Sequence, residues 1–419
     1  FKQKTAYEIR PRDWSSDVCS SDLGIGAAAF TKLTPIAIVV CFLLAIVVTS
    51  YRQTLFAYPS GGGSYIVSRE NLGTTPSLIA GASLLVDYIL TVSVSVAGGV
   101  LAIRSATDLS ASWAVPLCLL CVAVMTVANL RGLKESGALF AGPTYFYIVM
   151  LMLLIVVGLY RVFVQHLGPI PTEQLVAEGR LSEEALEHTR QVGALSLLML
   201  LRAFSSGAVA LSGVEAVSNG VPAFRKPESR NAATTLMWMA GILGSCFLGI
   251  SILATHLEPF RGDSDATGIA LMAQHVYGGR GVLFWATQIA TFAILILAAN
   301  TAYADFPRLS SIIARDGFLP RQLANRGDRL VFSNGVVVLA ASAGALIVVF
   351  GGVTNALIPL YAVGVFTSFT LSQSGMVVHH RKEREPGWQR NVVLNGVGAL
   401  ATFVVLMIVA ITKFSSGAW

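Results

Sequence analysis

Apolar runs about as long as a bilayer is thick recur along the whole chain, and they limit what it can fold into. TPIAIVVCFLLAIVVTSY, residues 34–51, is typical of them. A helix of about 20 such residues spans the hydrocarbon core. The ten-residue alternating segments of a membrane barrel are not seen. Charged residues make up 12% of the 419, against roughly 25% in an ordinary soluble domain. That leaves too few charges to clothe a soluble surface and argues against a soluble enzyme. The fold class read from these features is an all-α polytopic membrane protein. Ten spans are predicted, at about 34–51, 75–102, 113–130, 141–163, 194–223, 232–255, 279–304, 331–351, 354–378 and 391–413.

The net charge of +6 lies in the loops, so topology explains it better than nucleic acid does. One set of alternate loops holds sixteen Lys and Arg: Arg52 and Arg69; Arg131 and Lys134; Arg225, Lys226 and Arg230; Arg308, Arg315, Arg321, Arg326 and Arg329; Arg381, Lys382, Arg384 and Arg390. The other set holds seven, together with the acidic run Glu173, Glu178, Glu183, Glu184 and Glu187. Basic loops stay in the cytoplasm, which predicts a multi-pass protein of the cell (inner) membrane with the first set inside. The five cysteines form no disulfide framework, and Cys118 and Cys121, a C-x-x-C inside a span, read as helix packing.

The ends read differently from the rest. Phe1–Leu23, FKQKTAYEIRPRDWSSDVCSSDL, is polar and aperiodic and resembles a translation of short-read sequencing adapter DNA. Arg10 and Pro11 fall where a variable index would lie. Residues 1–23 are therefore expected to be non-native, and residues 24–419 an incomplete transmembrane transporter domain. An odd number of spans, most simply one, is expected to be missing before residue 34. The closing FSSGAW follows directly on a span, so truncation is expected there too.

A charge at mid-bilayer costs about 2.5–3.5 kcal/mol on insertion scales, which makes an ionisable residue there a functional candidate. Asp87 lies mid-span in GASLLVDYILTVSVSVAGG, and Ser83, Thr91 and Ser95 share its helix face. Glu215 lies in AFSSGAVALSGVEAVSNGVPAF with Ser212 and Asn219 on its face. Gly207 and Gly213 allow the backbone to unwind between them, and many secondary transporters bind substrate at such a break. Arg202 reads as a residue of the outer lip. Asn300 and Thr301 sit deep, Asp305 is placed to pair with Arg308, and Tyr361 can offer a hydroxyl to a cavity. The Pro/Gly-rich stretch FAYPSGGGSYIVSRENLG, residues 56–73, reads as an inner loop, a mobile or closely packed gate. The chain carries no phosphate-binding loop for an ATP motor, no His/Cys cluster for metal catalysis and no potassium-channel filter. It is read as a non-enzyme without cofactors.

Several of these segments also resemble a known family. They are YRQTLFAYPSGGGSYIVSRENLG, LIAGASLLVDYILTVSVSVAGG, NLRGLKESG, AFSSGAVALSGVEAVSNGVPAFRKPESRNAATTL, LAANTAYADFPRLSSIIARDGFLPRQL, RGDRLVFSNG and LIPLYAVGVFTSFTLSQSGM. They are similar to the KimA-type transporters of the amino acid–polyamine–organocation (APC) superfamily. The resemblance spans about residues 24–419. It implies the inverted-repeat fold of LeuT with broken first and sixth helices, and high-affinity potassium uptake by proton symport. It implies an ion site of Asp87, Thr91, Ser95, Ser212 (threonine in the family), Glu215 and Tyr361. The family's first helix, with an acid and a tyrosine at that site, has no counterpart here. Nor do its twelfth helix and its cytoplasmic C-terminal region, where a cyclic dinucleotide regulates the family. This chain by itself is thus expected not to transport. The expected partners are potassium, the proton and the lipid bilayer, with no nucleic acid and with a homodimer left open. The alternatives are an amino acid permease of the same superfamily and a non-transporting product or membrane sensor.

The orientation is open to direct test. Single cysteines at Arg225 and Arg321 should resist impermeant thiol reagents in whole cells, whereas one at Glu183 should react. Labelling at Arg321 but not at Glu183 would overturn the topology.

Overall fold

The computed structural model describes residues 27–61, 63–107, 109–132, 137–171, 197–208, 211–259, 266–325 and 332–414. Among the described residues every regular element is a helix. Thirteen are α-helical: α1 (Ala27–Ala57), α2 (Gly63–Asn71), α3 (Thr74–Thr107), α4 (Ala114–Leu130), α5 (Gly137–Phe163), α6 (Leu197–Ala208), α7 (Gly213–Asn219), α8 (Glu228–Leu257), α9 (Gly268–Tyr277), α10 (Val282–Arg315), α11 (Ser333–Val349), α12 (Thr354–Glu383) and α13 (Trp388–Phe414). In a bilayer every backbone polar group needs a partner within the protein, and the helix supplies one within each segment. The chain is an all-α polytopic membrane protein.

Nine of the ten predicted spans coincide with one continuous helix each, and the tenth, 194–223, is the broken pair α6 and α7. Among the described residues, seven helices are long and apolar enough to cross a membrane. The shorter α11 is apolar but has only 17 residues. Along the 30-residue α12, Ser368, Ser372, Gln373 and His380 interrupt the apolar surface. Those side chains are buried, and α12 packs against α1, α2, α3 and α13, so its polar face meets protein rather than lipid. Large apolar side chains elsewhere point outward, including Phe42, Val149, Val156, Leu400 and Ile411. An apolar surface this extensive fits a lipid surround, where it carries no hydration cost.

Alternate loops meet at opposite ends of the bundle. At one end Arg69 pairs with Asp316, Lys382 reaches the Glu70 carbonyl at 3.5 Å, and the Tyr58 hydroxyl lies 3.3 Å from His379 Nδ1. At the other end Thr34 and Thr255 hydroxyls lie 3.0 Å apart, and Ile170 N–H donates to the Leu257 carbonyl at 2.9 Å. The first set gathers the basic loops, so that face is called the basic end below. One expectation needs correction there. The stretch read as an inner loop contains α2, which docks on α3 and α12. Arg308 borders a cavity of about 500 Å³ with Gly61, Glu70, Asn219 and Pro222. The acidic loop and Cys19 lie outside the described residues, as does the Arg202 side chain.

Two clusters form most of the interior. In one, Val40, Val47 and Tyr51 of α1 pack with Leu236 of α8 and Phe366 and Phe369 of α12. In the other, Leu84, Val92 and Val96 of α3 pack with Cys118 of α4, Ala299 of α10 and Leu339 of α11. Cys118 is thus a packing residue, and it is a free thiol. Small residues let helices approach where no hydrophobic force drives them together. A Cβ on Gly249 of α8 would stand 2.7 Å from Ile155 Cγ2 of α5. Gly249→Val should therefore lower stability by about 1–3 kcal/mol, the usual cost of overpacking. Thermal unfolding in detergent measures it, and an unchanged midpoint would refute the packing.

Candidate ion-binding site

Glu215 occupies the first turn of α7, directly after the break, and is 4% exposed. Three donors meet its carboxylate. The Tyr51 hydroxyl of α1 donates to Oε2. The Ser64 backbone N–H and hydroxyl of α2 both donate to Oε1, at 2.9 and 2.5 Å. The Ser368 hydroxyl of α12 in turn donates to Ser64 Oγ at 2.7 Å. The Ser64 N–H is one of the unpaired amides that open any helix, so α2 turns the positive end of its dipole toward the acid. Gly63 makes this approach possible. Its φ is +47°, and a Cβ there would lie 2.0 Å from Asn219 Oδ1 and 2.7 Å from Glu215 Oε1. Of the two readings of the glycine run, close packing is what the backbone adopts. Asn219, one turn beyond Glu215, donates to the Tyr88 hydroxyl at 2.7 Å and ties α7 to α3.

Asp87 is in a different situation. It lies mid-helix on α3, 6% exposed, and its Oδ1 has no hydrogen-bond partner among the described residues. Tyr361 of α12 faces it, beside the hydroxyls of Thr91 and Ser212. Gly364, one turn along α12, brings the two helices together: a Cβ there would stand 3.1 Å from the Ser83 carbonyl oxygen and 3.8 Å from Asp87 Cβ. Glu215 follows Ser212 by three residues and lies within electrostatic reach of Asp87. The structure therefore gathers Asp87, Thr91, Ser212, Glu215 and Tyr361. Ser95 sits one turn further along the same face of α3, half-buried, without a bond to the other five. Asn300 accepts from the Asn129 amide at 2.7 Å, and Thr301 is exposed and bonded back to its own helix; neither joins the site.

Sequence reasoning missed the residues that hold Glu215: Tyr51, Ser64 and Ser368. It also missed the polar face that continues from them toward the basic end. There Ser50 bonds Asn395 at 2.5 Å, Asn395 bonds Gln53 at 2.6 Å, and Gln53 lies 3.1 Å from His380 Nε2. The Thr54 hydroxyl, the Ser372 hydroxyl and the Gln373 amide are buried in this region without a partner among the described residues.

Residues 16–417 match the family described as amino acid permease. The chain belongs to the amino acid permease family. It is also 46% identical, over 398 residues, to the potassium transporter KimA of Bacillus subtilis (strain 168). That similarity covers 93% of this chain and 62% of the Bacillus protein. A membrane permease family and a helix broken beside a buried acid agree, because such breaks are where secondary transporters hold their cargo.

The role of Gly63 can be checked without any transport assay. Gly63→Ala forces a Cβ into Asn219 and Glu215 at a positive φ, and should cost at least about 1–3 kcal/mol. Thermal unfolding reads this, and a stability equal to wild type would show that α2 does not depend on the close approach.

Proposed function

We propose that this chain carries the transport site of a potassium/proton symporter of the cell membrane, with the basic end facing the cytoplasm. The observation that carries the reading is the Asp87 carboxylate, buried with an unpartnered oxygen opposite Tyr361, Thr91 and Ser212. Potassium is held by oxygens that replace its hydration shell. One carboxylate and three hydroxyls offer such a set, with one negative charge to balance the ion. Ser95 extends the same face by one turn. The similarity to a protein named as a potassium transporter supports the reading, as do the break between α6 and α7 and the inverted-repeat arrangement that the family resemblance implies.

Glu215 is assigned the proton. Charge supplies the coupling. Two neighbouring carboxylates resist joint ionisation, so a site that takes a cation best when fully deprotonated links the two gradients. The break sets Glu215 on a short helix with Asn219, which borders the cavity of the basic end, whereas Asp87 lies on an intact helix. Glu215→Gln preserves the local bonds, because the amide oxygen accepts from Ser64 and the amide nitrogen donates to a reversed Tyr51 hydroxyl. Asp87→Asn removes the charge that balances potassium.

The family description supports a second reading, an amino acid permease, in which the broken helix offers amides to a carboxylate and carbonyls to an amine. An acid on a hydroxyl-lined helix face suits a bare cation better than a zwitterion.

Two measurements separate these roles. Potassium should raise the unfolding temperature of the wild type and of Glu215→Gln relative to choline at equal ionic strength, but not of Asp87→Asn, whose affinity should fall about tenfold or more, equivalent to about 1.4 kcal/mol. In vesicles carrying the full-length parent protein, rubidium uptake should quicken under an inward proton gradient, and uptake by its Glu215→Gln variant should ignore it. If the Gln variant responds fully, the proton role passes to Asp87. If amino acids and not potassium stabilise the wild type, the permease reading prevails.

A further inference from the structure

At the basic end a second cavity opens on the outside of the bundle, away from the ion site. It has a volume of about 400 Å³ and is lined by Arg52 and Phe56 of α1 and by Arg230, Ala233, Thr234, Met237 and Trp238 of α8. The sequence spacing produces it. Arg52 and Phe56 are four apart and share one face of α1. Arg230, Ala233, Thr234, Met237 and Trp238 fall at 0, +3, +4, +7 and +8, one continuous stripe of α8. The antiparallel packing of α1 on α8, which sets Thr34 against Thr255 and Cys41 against Gly244, brings Arg52 onto the stretch Ala233–Met237, one to two turns inside Arg230.

The lining combines two arginines with an apolar stripe of α8. Both arginines are exposed, neither forms an ion pair among the described residues, and no acidic side chain is among the lining residues. Trp238 lies eight residues further into the bilayer than Arg230, about 12 Å at a helical rise of about 1.5 Å per residue. It is 71% exposed and Met237 before it is exposed too, while Phe56 lies one turn beyond Arg52 toward the end of α1. Two cations beside an apolar stripe in one cavity at the basic end ask for a ligand that is anionic at one end and apolar at the other.

We infer that this cavity is a binding site for an anionic glycerophospholipid of the leaflet at the basic end. Its phosphate sits between the Arg52 and Arg230 guanidiniums, and its acyl chains lie along Ala233, Met237 and Trp238. The guanidinium fork matches a phosphate in two-point contact. The Thr234 hydroxyl, which bonds back to the Arg230 carbonyl at 2.9 Å, keeps an oxygen at the boundary between headgroup and chains. Binding at this point joins α1, which carries Tyr51, to α8, which follows α7 and Glu215 in the chain.

Trp238 reports on the site. The chain has six tryptophans, so its signal is isolated by subtracting the Trp238→Phe variant. The protein is reconstituted in phosphatidylcholine vesicles containing equal mole fractions of brominated phosphatidylglycerol or brominated phosphatidylcholine. The phosphatidylglycerol should quench the Trp238 signal with an about thirtyfold preference, about fivefold for each arginine near the surface. Arg52→Gln/Arg230→Gln should erase the preference, and Arg52→Lys/Arg230→Lys should keep most of it. Equal quenching by the two lipids in the wild type would overturn the proposal, and that comparison decides even if the Gln pair fails to fold. Displacement of the brominated lipid by soluble glycerol phosphate would also overturn it, because the site would then take free phosphate.

Discussion

An acid held inside a membrane must be answered by groups around it, because an unbalanced carboxylate in hydrocarbon costs several kcal/mol or more. Glu215 obtains its partners from two other helices, α1 and α2, and α12 holds one of those partners in turn; much of the architecture follows from that requirement. The break before α7 places the acid at a helix start, where a negative charge is favoured. The glycine at the start of α2 lets a backbone amide reach it. The polar face of α12 is needed so that Ser368 can hold the Ser64 hydroxyl in place. Removing any one of these features would leave the others without a purpose at this point of the structure.

The two acids of the site are held in opposite ways. Glu215 is saturated with donors and belongs to a seven-residue helix between a break and a turn. Asp87 has an open oxygen and belongs to the 34-residue α3, one of the longest rods in the molecule. A rigid element thus presents the open ligand, while a short element presents the satisfied one. Asn219 and Tyr88 connect the two across 2.7 Å, so any displacement of α7 is felt on the helix that carries Asp87.

Much of this was legible in the sequence, and the reason is the bilayer. Hydropathy is a local property, so apolar runs revealed ten segments, each of which became a helix or a broken pair. Asp87 and Glu215 stood out because charge is rare at that depth, and Gly207 and Gly213 marked the break. What stayed hidden is what depends on distant parts of the chain. Tyr51 read as one more aromatic in an apolar run, yet it meets a residue 164 positions away. Ser64 and α2 were concealed by neighbouring glycines, which signal a loop as readily as a tight approach. Arg69 and Asp316 are likewise far apart in sequence, yet they form an ion pair at the basic end.

The polarity of α12 also bears on how the protein is made. A helix carrying buried Ser368, Ser372, Gln373 and His380 gains little by moving alone from a translocation pore into lipid, since each polar side chain weighs against insertion. Three of its neighbours, α1, α2 and α3, precede it in the chain and are synthesised first, whereas α13 follows directly on it. The helix therefore emerges toward a surface already shaped to receive it, and its own partner closes over it next. The same hydroxyls and amides that suit the interior to an ion make this segment dependent on the order of biogenesis, entering the bilayer as part of an assembly rather than as a single span.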